Sequence, residues 1–227
     1  MKIRMNIGAQ MLTLAAAMVL ASSASAQSAG QWTVEAGVNQ ITPHVDSGDI
    51  SAPALPHSKG NVSKDTEPVL VFTYGVTDNV SLQAALGLPY KYKVLGDGAV
   101  KDVGQVGTVK ALPPTLFVQY RFLDPKSKVR PYVGLGLTYA YFFDATGSGK
   151  LTAITNPGTG VPTTFKINNK FAATAQAGVS VAITDRVFAD LAFTKTKLKS
   201  HVTFSTGQTQ DMKQDPSGIL LAVGYKF

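Results

Sequence analysis

Four charged residues within otherwise apolar segments are the first candidates for a functional group in this chain. They are two acids and two bases: Glu35, Arg121, Asp190 and Lys226. A charge inside a protein is costly unless an opposite charge and hydrogen bonds compensate it, so such residues usually pair. We therefore expect these four residues, called here the charged floor, to form a paired network that closes one end of an interior space.

A second set of residues is apolar and belongs to the same predicted interior, above the charged floor. The set comprises Val69, Val71, Phe117, Phe142, Leu198 and Leu220. A chamber with such walls can hold a small hydrophobic molecule. The alternative is simple packing, because the interior of a small barrel is just wide enough to be filled by its own side chains.

Three prolines interrupt segments that otherwise have the pattern of β-strands. Pro89 lies inside a long alternating run, and Pro113 and Pro114 begin the next run. Proline has no N–H group for the ladder, so it is confined to edges, strand starts and bulges. Because an unpaired backbone group in lipid costs several kcal/mol, we expect the seam between these two strands to part as a lateral gate. The alternative is a bulge that only bends the strand.

The three histidines are the candidates for catalysis or metal binding: His44, His57 and His201. They fall in or beside different long connections, and none stands next to a serine motif of recognisable spacing. A lipid hydrolase or acyltransferase needs a nucleophile and a base within reach, and a zinc site needs several ligands at suitable spacing. Since the sequence has neither pattern, we expect no enzyme, no metal site and no cofactor.

Alternation of apolar and polar residues predicts the elements that position these side chains. From Val80 to Val94 every second residue is apolar or aromatic, while the residues between them are small or polar. A period of two is typical of a β-strand and not of a helix. Seven further segments alternate in the same way, so the sequence predicts eight strands.

The connections between the predicted strands differ in length. Three are short turns, at 77–79, 123–128 and 184–186, and four are long and rich in Gly, Ser, Thr and Pro, at 43–67, 95–112, 143–169 and 200–216. Short turns on one rim and long loops on the other are typical of outer-membrane barrels, whose short turns face the periplasm. The predicted fold is all-β: an eight-stranded antiparallel transmembrane β-barrel with short periplasmic turns and long extracellular loops.

The apolar faces of the strands point outward in this prediction. A soluble lipocalin-like barrel would turn them inward, but these faces are nearly unbroken over long strands, as contact with lipid requires. Aromatic residues also gather at two levels, as membrane girdles do. The predicted girdles comprise Trp32, Tyr120, Phe122, Tyr225 and Phe227 at the periplasmic end, and Tyr90, Tyr92, Tyr139 and Tyr141 at the other end.

The beginning of the chain predicts export. Lys2 and Arg4 precede an apolar run that ends in Ala24-Ser25-Ala26, so residues 1–26 have the pattern of a secretory signal peptide. Residues 27–227 then form one barrel domain. With no cysteine in the chain, a closed sheet must hold the shape without disulfides. The formal net charge is +7, but the lysines are dispersed, which argues against nucleic-acid binding.

Several motifs, taken in order, resemble the outer membrane protein W (OmpW) family. They are Leu112-Pro113-Pro114-Thr115, Arg130-Pro131-Tyr132-Val133-Gly134, Phe142-Phe143-Asp144 and Gly224-Tyr225-Lys226-Phe227, together with Thr77-Asp78-Asn79 and the proline-bearing third strand. The resemblance covers essentially the whole chain after residue 26. It implies a barrel in the bacterial cell outer membrane that passes small hydrophobic molecules without an energy source.

The resemblance and the residue pattern also imply partners. Tyr225 and Phe227 end an alternating apolar run that is similar to the signal recognised by the barrel-assembly machinery. Lys195, Lys197 and Lys199 point outward at the top of the seventh strand, where they can reach lipopolysaccharide phosphates. The expected partners are outer-membrane lipid and lipopolysaccharide, the assembly machinery and small hydrophobic solutes. A structural or adhesion barrel without transport activity is the alternative.

Overall fold

The computed structural model describes residues 29–54, 56–158 and 161–227, so the predicted signal peptide lies outside the described residues. The strands are β1 (Trp32–Thr42), β2 (Asp46–Ser47), β3 (Ser58–Val62), β4 (Asp65–Gly75), β5 (Val80–Gly87), β6 (Tyr90–Gly98), β7 (Gln105–Leu112), β8 (Thr115–Arg121), β9 (Val129–Gly147), β10 (Phe165–Ile167), β11 (Lys170–Ala182), β12 (Val187–Thr196), β13 (Lys199–Phe204), β14 (Thr209–Lys213) and β15 (Ser217–Lys226). A 3-10 turn occupies Lys101–Val103, and one α-helix, α1, occupies Gly149–Thr155.

Eight of these strands form a closed antiparallel barrel. Their order is β11-β12-β15-β1-β4-β5-β8-β9, and β9 pairs with β11 to close the sheet. Closure leaves no open edge, so the barrel strands pair with a neighbour on both sides. The predicted eight-stranded fold is confirmed. Within the part of the chain that the structure describes, no helix is both long and apolar enough to cross a membrane.

The outer surface of the barrel is apolar, as the alternation predicted. Leu116 and Leu135, on the neighbouring strands β8 and β9, are 66% and 74% exposed. Aromatic pairs lie at both ends of this surface. Trp32 contacts Tyr74, with ring centroids 4.9 Å apart, at the periplasmic end, and Tyr139 contacts Phe171 at 4.8 Å at the opposite end.

The end of the chain lies in the periplasmic girdle. The rings of Tyr225 and Phe227 meet edge to face, with centroids 5.1 Å apart. The backbone N–H of Phe227 donates to the carbonyl of Trp32 at 3.0 Å, which ties the last strand to the first. Recognition of these two residues by the assembly machinery stays a prediction.

The prediction that Tyr90 and Tyr92 belong to the outer girdle is wrong. Their side chains are only 2% and 6% exposed and point into the barrel. The ladder is broken at Leu88 and Pro89, between β5 and β6. Since strand side chains alternate strictly between faces, a break that shifts the register moves every later residue to the opposite face.

The long connections are built largely of strands and form a second layer, called here the crown. One part of the crown continues the sheet of the barrel in the order β9-β7-β6-β3. The other part is a separate four-stranded sheet in the order β10-β13-β14-β2. The crown has its own buried core, which includes Ile50, Tyr92, Val109, Phe165, Val202, Phe204 and Met212. This core fixes the shape of the extracellular entrance to the barrel.

Candidate functional site

A cavity of about 120 Å³ lies inside the barrel, beneath the crown. All six residues predicted to make the apolar chamber line it: Val69, Val71, Phe117, Phe142, Leu198 and Leu220. Five of them are at least nine-tenths buried, while Phe142 is intermediate. They come from β4, β8, β9, β15 and the link between β12 and β13, so barrel closure brings together residues far apart in the chain.

One wall of the cavity is polar, which the apolar prediction did not include. The hydroxyls of Thr115, Thr138, Thr174 and Thr196 form a continuous chain across β8, β9, β11 and β12, with oxygen–oxygen distances of 2.9, 2.6 and 2.9 Å. We call these four residues the threonine belt. All four line the cavity. They were missed because sequence alternation identifies inward residues but not which of them meet.

Asn39 and Tyr90 were also missed as cavity residues. The side-chain amide of Asn39, on β1, donates to the Tyr90 hydroxyl at 2.9 Å. This contact joins β1 and β6 across the interior of the barrel. The switch of face at Pro89 explains the omission, because Tyr90 had been expected to face lipid.

Side-chain amides close the barrel below the cavity. The Gln119 amide donates to the Gln176 oxygen at 2.7 Å, and the Gln176 amide donates to the Gln83 oxygen at 3.1 Å. Arg121, which is 3% exposed, donates to Gln119 at 3.0 Å and to Ser180 at 3.1 Å. Filled by paired polar groups, this layer leaves no room for a wide water column beside Arg121.

The remaining charged-floor residues, Glu35, Asp190 and Lys226, are also buried. The Tyr132 hydroxyl donates to Asp190 at 2.7 Å, and the Lys226 ammonium lies 5.7 Å from the centroid of the Phe188 ring. Glu35 is fully buried, and neither of its carboxylate oxygens has a hydrogen-bond partner among the described residues. The prediction that Glu35 joins a hydrogen-bonded network is therefore wrong, because its register partners, Val71 and Gly224, have no side chain that can form a hydrogen bond.

Pairing is interrupted between two neighbouring parts of the barrel wall. One part is β5 with its continuation β6, and the other is β8 with β7, which precedes it in the chain. Below the interruption the last partners are Ala85 on β5 and Thr115 on β8. Above it the first partners are Tyr90 on β6 and Ala111 on β7. Residues 86–89 and 112–114 face each other across this gap without pairing, and we call them the seam. Because Leu86, Gly87 and Pro113 also line the cavity, the cavity extends to the seam.

Pro89 lies at the seam. The neighbouring Leu88 N–H donates at 3.1 Å to the carbonyl of Pro68, in β4. Backbone groups of successive strand residues normally alternate between the two sides. The Lys91 N–H, three residues further on, also points to β4, where it donates to Asp65 Oδ2 at 2.6 Å. Alternation is therefore broken between Leu88 and Lys91, and Pro89 lies at this break.

Pro113 faces the seam, but Pro114 does not. The carbonyl of Pro114 accepts a hydrogen bond from Tyr139 N–H on β9, at 3.0 Å, so by the same alternation Pro113 is directed towards β5. The prediction that all three prolines remove donors from one seam is therefore wrong for Pro114. Pro113 removes one donor from the seam, opposite the break in the other strand at Pro89.

A second cavity of about 40 Å³ lies in the crown. Its walls are mainly apolar and include Leu151, Phe165 and Phe204. Val62 and Ile167 line both this cavity and the larger one below. The two cavities are therefore neighbours along the axis of the barrel.

The three histidines have separate partners. His44 lies 2.8 Å from the Ser217 hydroxyl, and His201 lies 2.7 Å from Asp211. His57 lies 3.3 Å from Asp49, on the exposed surface of the crown. None of the three lines the larger cavity. The prediction that the chain is not an enzyme rests, as before, on the sequence.

Comparisons with known proteins agree with this architecture. The OmpW family model matches residues 28–227. Outer membrane protein W of Salmonella typhi is 33% identical over 220 residues, which cover 94% of this chain and 96% of that protein. The crystal structure of OprG from Pseudomonas aeruginosa superposes with a TM-score of 0.79 at 24% identity, covering 89% of this chain and 98% of OprG. The solid-state NMR structure of AlkL in lipid bilayers gives a TM-score of 0.63 at 21% identity, covering 92% and 95%. The chain belongs to the OmpW family of bacterial outer-membrane β-barrel proteins.

Proposed function

We propose that this protein lets small hydrophobic molecules diffuse passively through the lipopolysaccharide layer. A solute enters through the crown, occupies the cavity and leaves sideways through the seam into the membrane. The observation that carries the proposal is a cavity that is closed below and reaches an unpaired part of the barrel wall. The resemblance to the OmpW family, which implies passage of small hydrophobic molecules, points in the same direction.

The closed floor supports a sideways exit. An apolar solute continuing towards the periplasm would have to separate the amides of Gln83, Gln119 and Gln176 and pass the buried Arg121 side chain. Each broken hydrogen bond between buried groups costs about 1–3 kcal/mol. A solute leaving at the seam breaks no ladder hydrogen bond, because pairing is already absent between residues 86–89 and 112–114.

The chemistry of the destination supports the same route. An apolar molecule gains about 25 cal/mol for each Å² of surface removed from water. Exit into the membrane keeps that gain, whereas exit into the periplasm loses it. No energy source is needed, because partition into lipid drives the movement.

The experiment is to close the seam reversibly. The chain has no cysteine, so a Leu88→Cys, Leu112→Cys double variant carries one thiol on each side of the seam. A short bifunctional thiol reagent that is cleaved by reductant then joins the two sides of the seam. In Gram-negative cells that express the variant, we expect bridging to reduce uptake of the hydrophobic dye N-phenylnaphthylamine severalfold and reductant to restore it.

The matched control places the bridge below the seam, where β5 and β8 are already paired. Leu82 and Val118 are register partners on β5 and β8 and are both half exposed on the outer surface. A bridge between cysteines at these two positions should leave dye uptake unchanged. If bridging at 88 and 112 also leaves uptake unchanged, the sideways exit is wrong. If the unbridged protein takes up no more dye than cells lacking it, the structural or adhesion alternative replaces transport.

A further inference from the structure

Only one direction of hydrogen bonding along the threonine belt makes all four of its contacts. The Thr115 hydroxyl lies 3.1 Å from the carbonyl oxygen of Pro113, and a carbonyl can only accept. This contact forms only if the one hydrogen of Thr115 goes to Pro113. At the contact between Thr115 and Thr138, at 2.9 Å, it follows that Thr138 is the donor.

The same reasoning continues around the barrel. Thr138 has spent its hydrogen on Thr115, so Thr174 donates to Thr138 at 2.6 Å. Thr196 in turn donates to Thr174 at 2.9 Å. All four hydroxyl hydrogens are consumed along one line that ends on Pro113, at the seam.

The belt therefore offers the cavity only hydrogen-bond acceptors, the lone pairs of its hydroxyl oxygens. Each hydroxyl oxygen can accept two hydrogen bonds. Thr115, Thr138 and Thr174 each accept one within the belt, and Thr196, at its end, accepts none from the belt. Thr138, Thr174 and Thr196 are at least nine-tenths buried, so these free lone pairs face an enclosed space and not bulk water.

A wall of this kind distinguishes between otherwise similar apolar molecules. A group with a hydrogen to donate can bond to the belt, whereas an ether, ester or ketone has only acceptors and finds no donor in the belt. Opposite the belt, the cavity is lined by apolar side chains such as Val69, Val71 and Leu220, which suit a hydrocarbon body. The two walls together fit a molecule with one donor at an apolar frame.

We propose that the threonine belt binds the hydroxyl group of a small apolar alcohol or phenol, which donates its hydrogen to a threonine oxygen. This inference deepens the proposed function, since it names the chemical class of solute for the same cavity. The belt ends at Pro113, so the hydroxyl binding site leads to the seam. Hydrocarbons without a hydroxyl enter the same cavity but lack this contact.

The test measures binding separately from transport. The purified full-length barrel is placed in lipid nanodiscs, and equilibrium dialysis gives the naphthol bound in excess over empty nanodiscs of equal lipid content. Methoxynaphthalene, in which a methyl group replaces the hydroxyl hydrogen, is the matched ligand. After correction for partition into lipid, we expect naphthol to bind about fivefold more tightly, which is the effect of one ordinary hydrogen bond.

Substitutions in the belt provide a readout that a merely structural role would not move. A fourfold variant, Thr115→Val, Thr138→Val, Thr174→Val and Thr196→Val, keeps the side-chain shapes and removes every acceptor of the belt. The preference for naphthol should then disappear. A fourfold variant with serine at the same positions restores the hydroxyls and should retain the preference.

The outcomes separate this inference from the proposed function. If the unsubstituted protein binds both ligands equally, or if the fourfold valine variant keeps the naphthol preference, the belt is not the hydroxyl site and the inference is wrong. A naphthol preference in nanodiscs that the fourfold valine variant removes supports the inference even if cells show no uptake. In that case transport fails and the binding site stands.

Discussion

The hydrogen bond between Tyr132 and Asp190 is the contact whose loss should most clearly weaken the charged floor. Tyr132 is 1% exposed, and its hydroxyl donates to Asp190 at 2.7 Å. The Arg121 guanidinium lies 4.8 Å from the centroid of the Tyr132 ring. Tyr132→Phe removes only the hydroxyl, so the ring and its contact with Arg121 are kept.

The size of the effect follows from burial and charge. A hydrogen bond to a charged group contributes about 1.5–3 kcal/mol, and a buried acceptor left without its donor cannot turn to water for a replacement. Asp190 keeps its bond from the Ser180 hydroxyl at 2.7 Å, which limits the loss to one contact. We expect Tyr132→Phe to lower the free energy of unfolding by about 2 kcal/mol, or roughly 30-fold in the equilibrium constant.

Urea unfolding in lipid vesicles measures this change. The chain has one tryptophan, and Trp32 packs on Tyr74 at the periplasmic rim, so its fluorescence reports unfolding without a label. Tyr120→Phe is the matched control, because Tyr120 is 49% exposed on the outer surface and should change stability by less than about 0.5 kcal/mol. Equal effects of the two substitutions would refute a floor held by the Tyr132 hydroxyl.

Two other consequences of the structure can be tested with single substitutions. A lipid-soluble maleimide should label Leu88→Cys but not Tyr90→Cys, because Leu88 is 55% exposed outside and Tyr90 is buried inside; labelling of both would contradict the switch of face. Gly178→Ala should lower the free energy of unfolding by about 1–3 kcal/mol, because a Cβ there would overlap the Tyr132 ring. Gly149→Ala, with open space around it, serves as the control and should be nearly neutral, and a similar loss in both would contradict the overlap.

The barrel could be predicted from the sequence because the pleat of a strand fixes the face of each residue. On β8, Leu116 and Val118 are exposed while Phe117 and Gln119 are buried, in step with the alternation. The same rule placed all six apolar residues in one cavity without any knowledge of strand register. Period-two patterning is a local property, so one sequence is enough to read it.

The switch of face at Pro89 could not be read in this way, because alternation is lost wherever pairing breaks. One signal was nevertheless present. Lys91 and Lys93 follow Pro89 on the face first assigned to the interior, and a lysine in an apolar chamber is costly without a partner. In the structure both lysines are exposed, while Tyr90 and Tyr92 take the interior.

Contacts between strands distant in sequence were also out of reach. Thr138 is the register partner of Ala172, yet its hydroxyl bonds to Thr174, two residues further along β11. Strands in a barrel tilt against its axis, so side chains at one height belong to staggered positions in the sequence. Alternation indicated that these threonines point inward, but only the register and tilt show that they form one chain.

The height of the seam reconciles a hydroxyl binding site with release into a membrane. The seam lies beside Tyr139, whose N–H bonds to Pro114 and whose ring belongs to the outer girdle. Aromatic girdles mark the interface, where polar lipid groups and water are present. A solute hydroxyl that leaves the threonine belt at Pro113 can therefore form new hydrogen bonds with these polar groups and water. It does not have to enter the hydrocarbon core without a hydrogen-bond partner. Since one hydrogen bond slows release only about fivefold, the belt can select for a donor without trapping the solute.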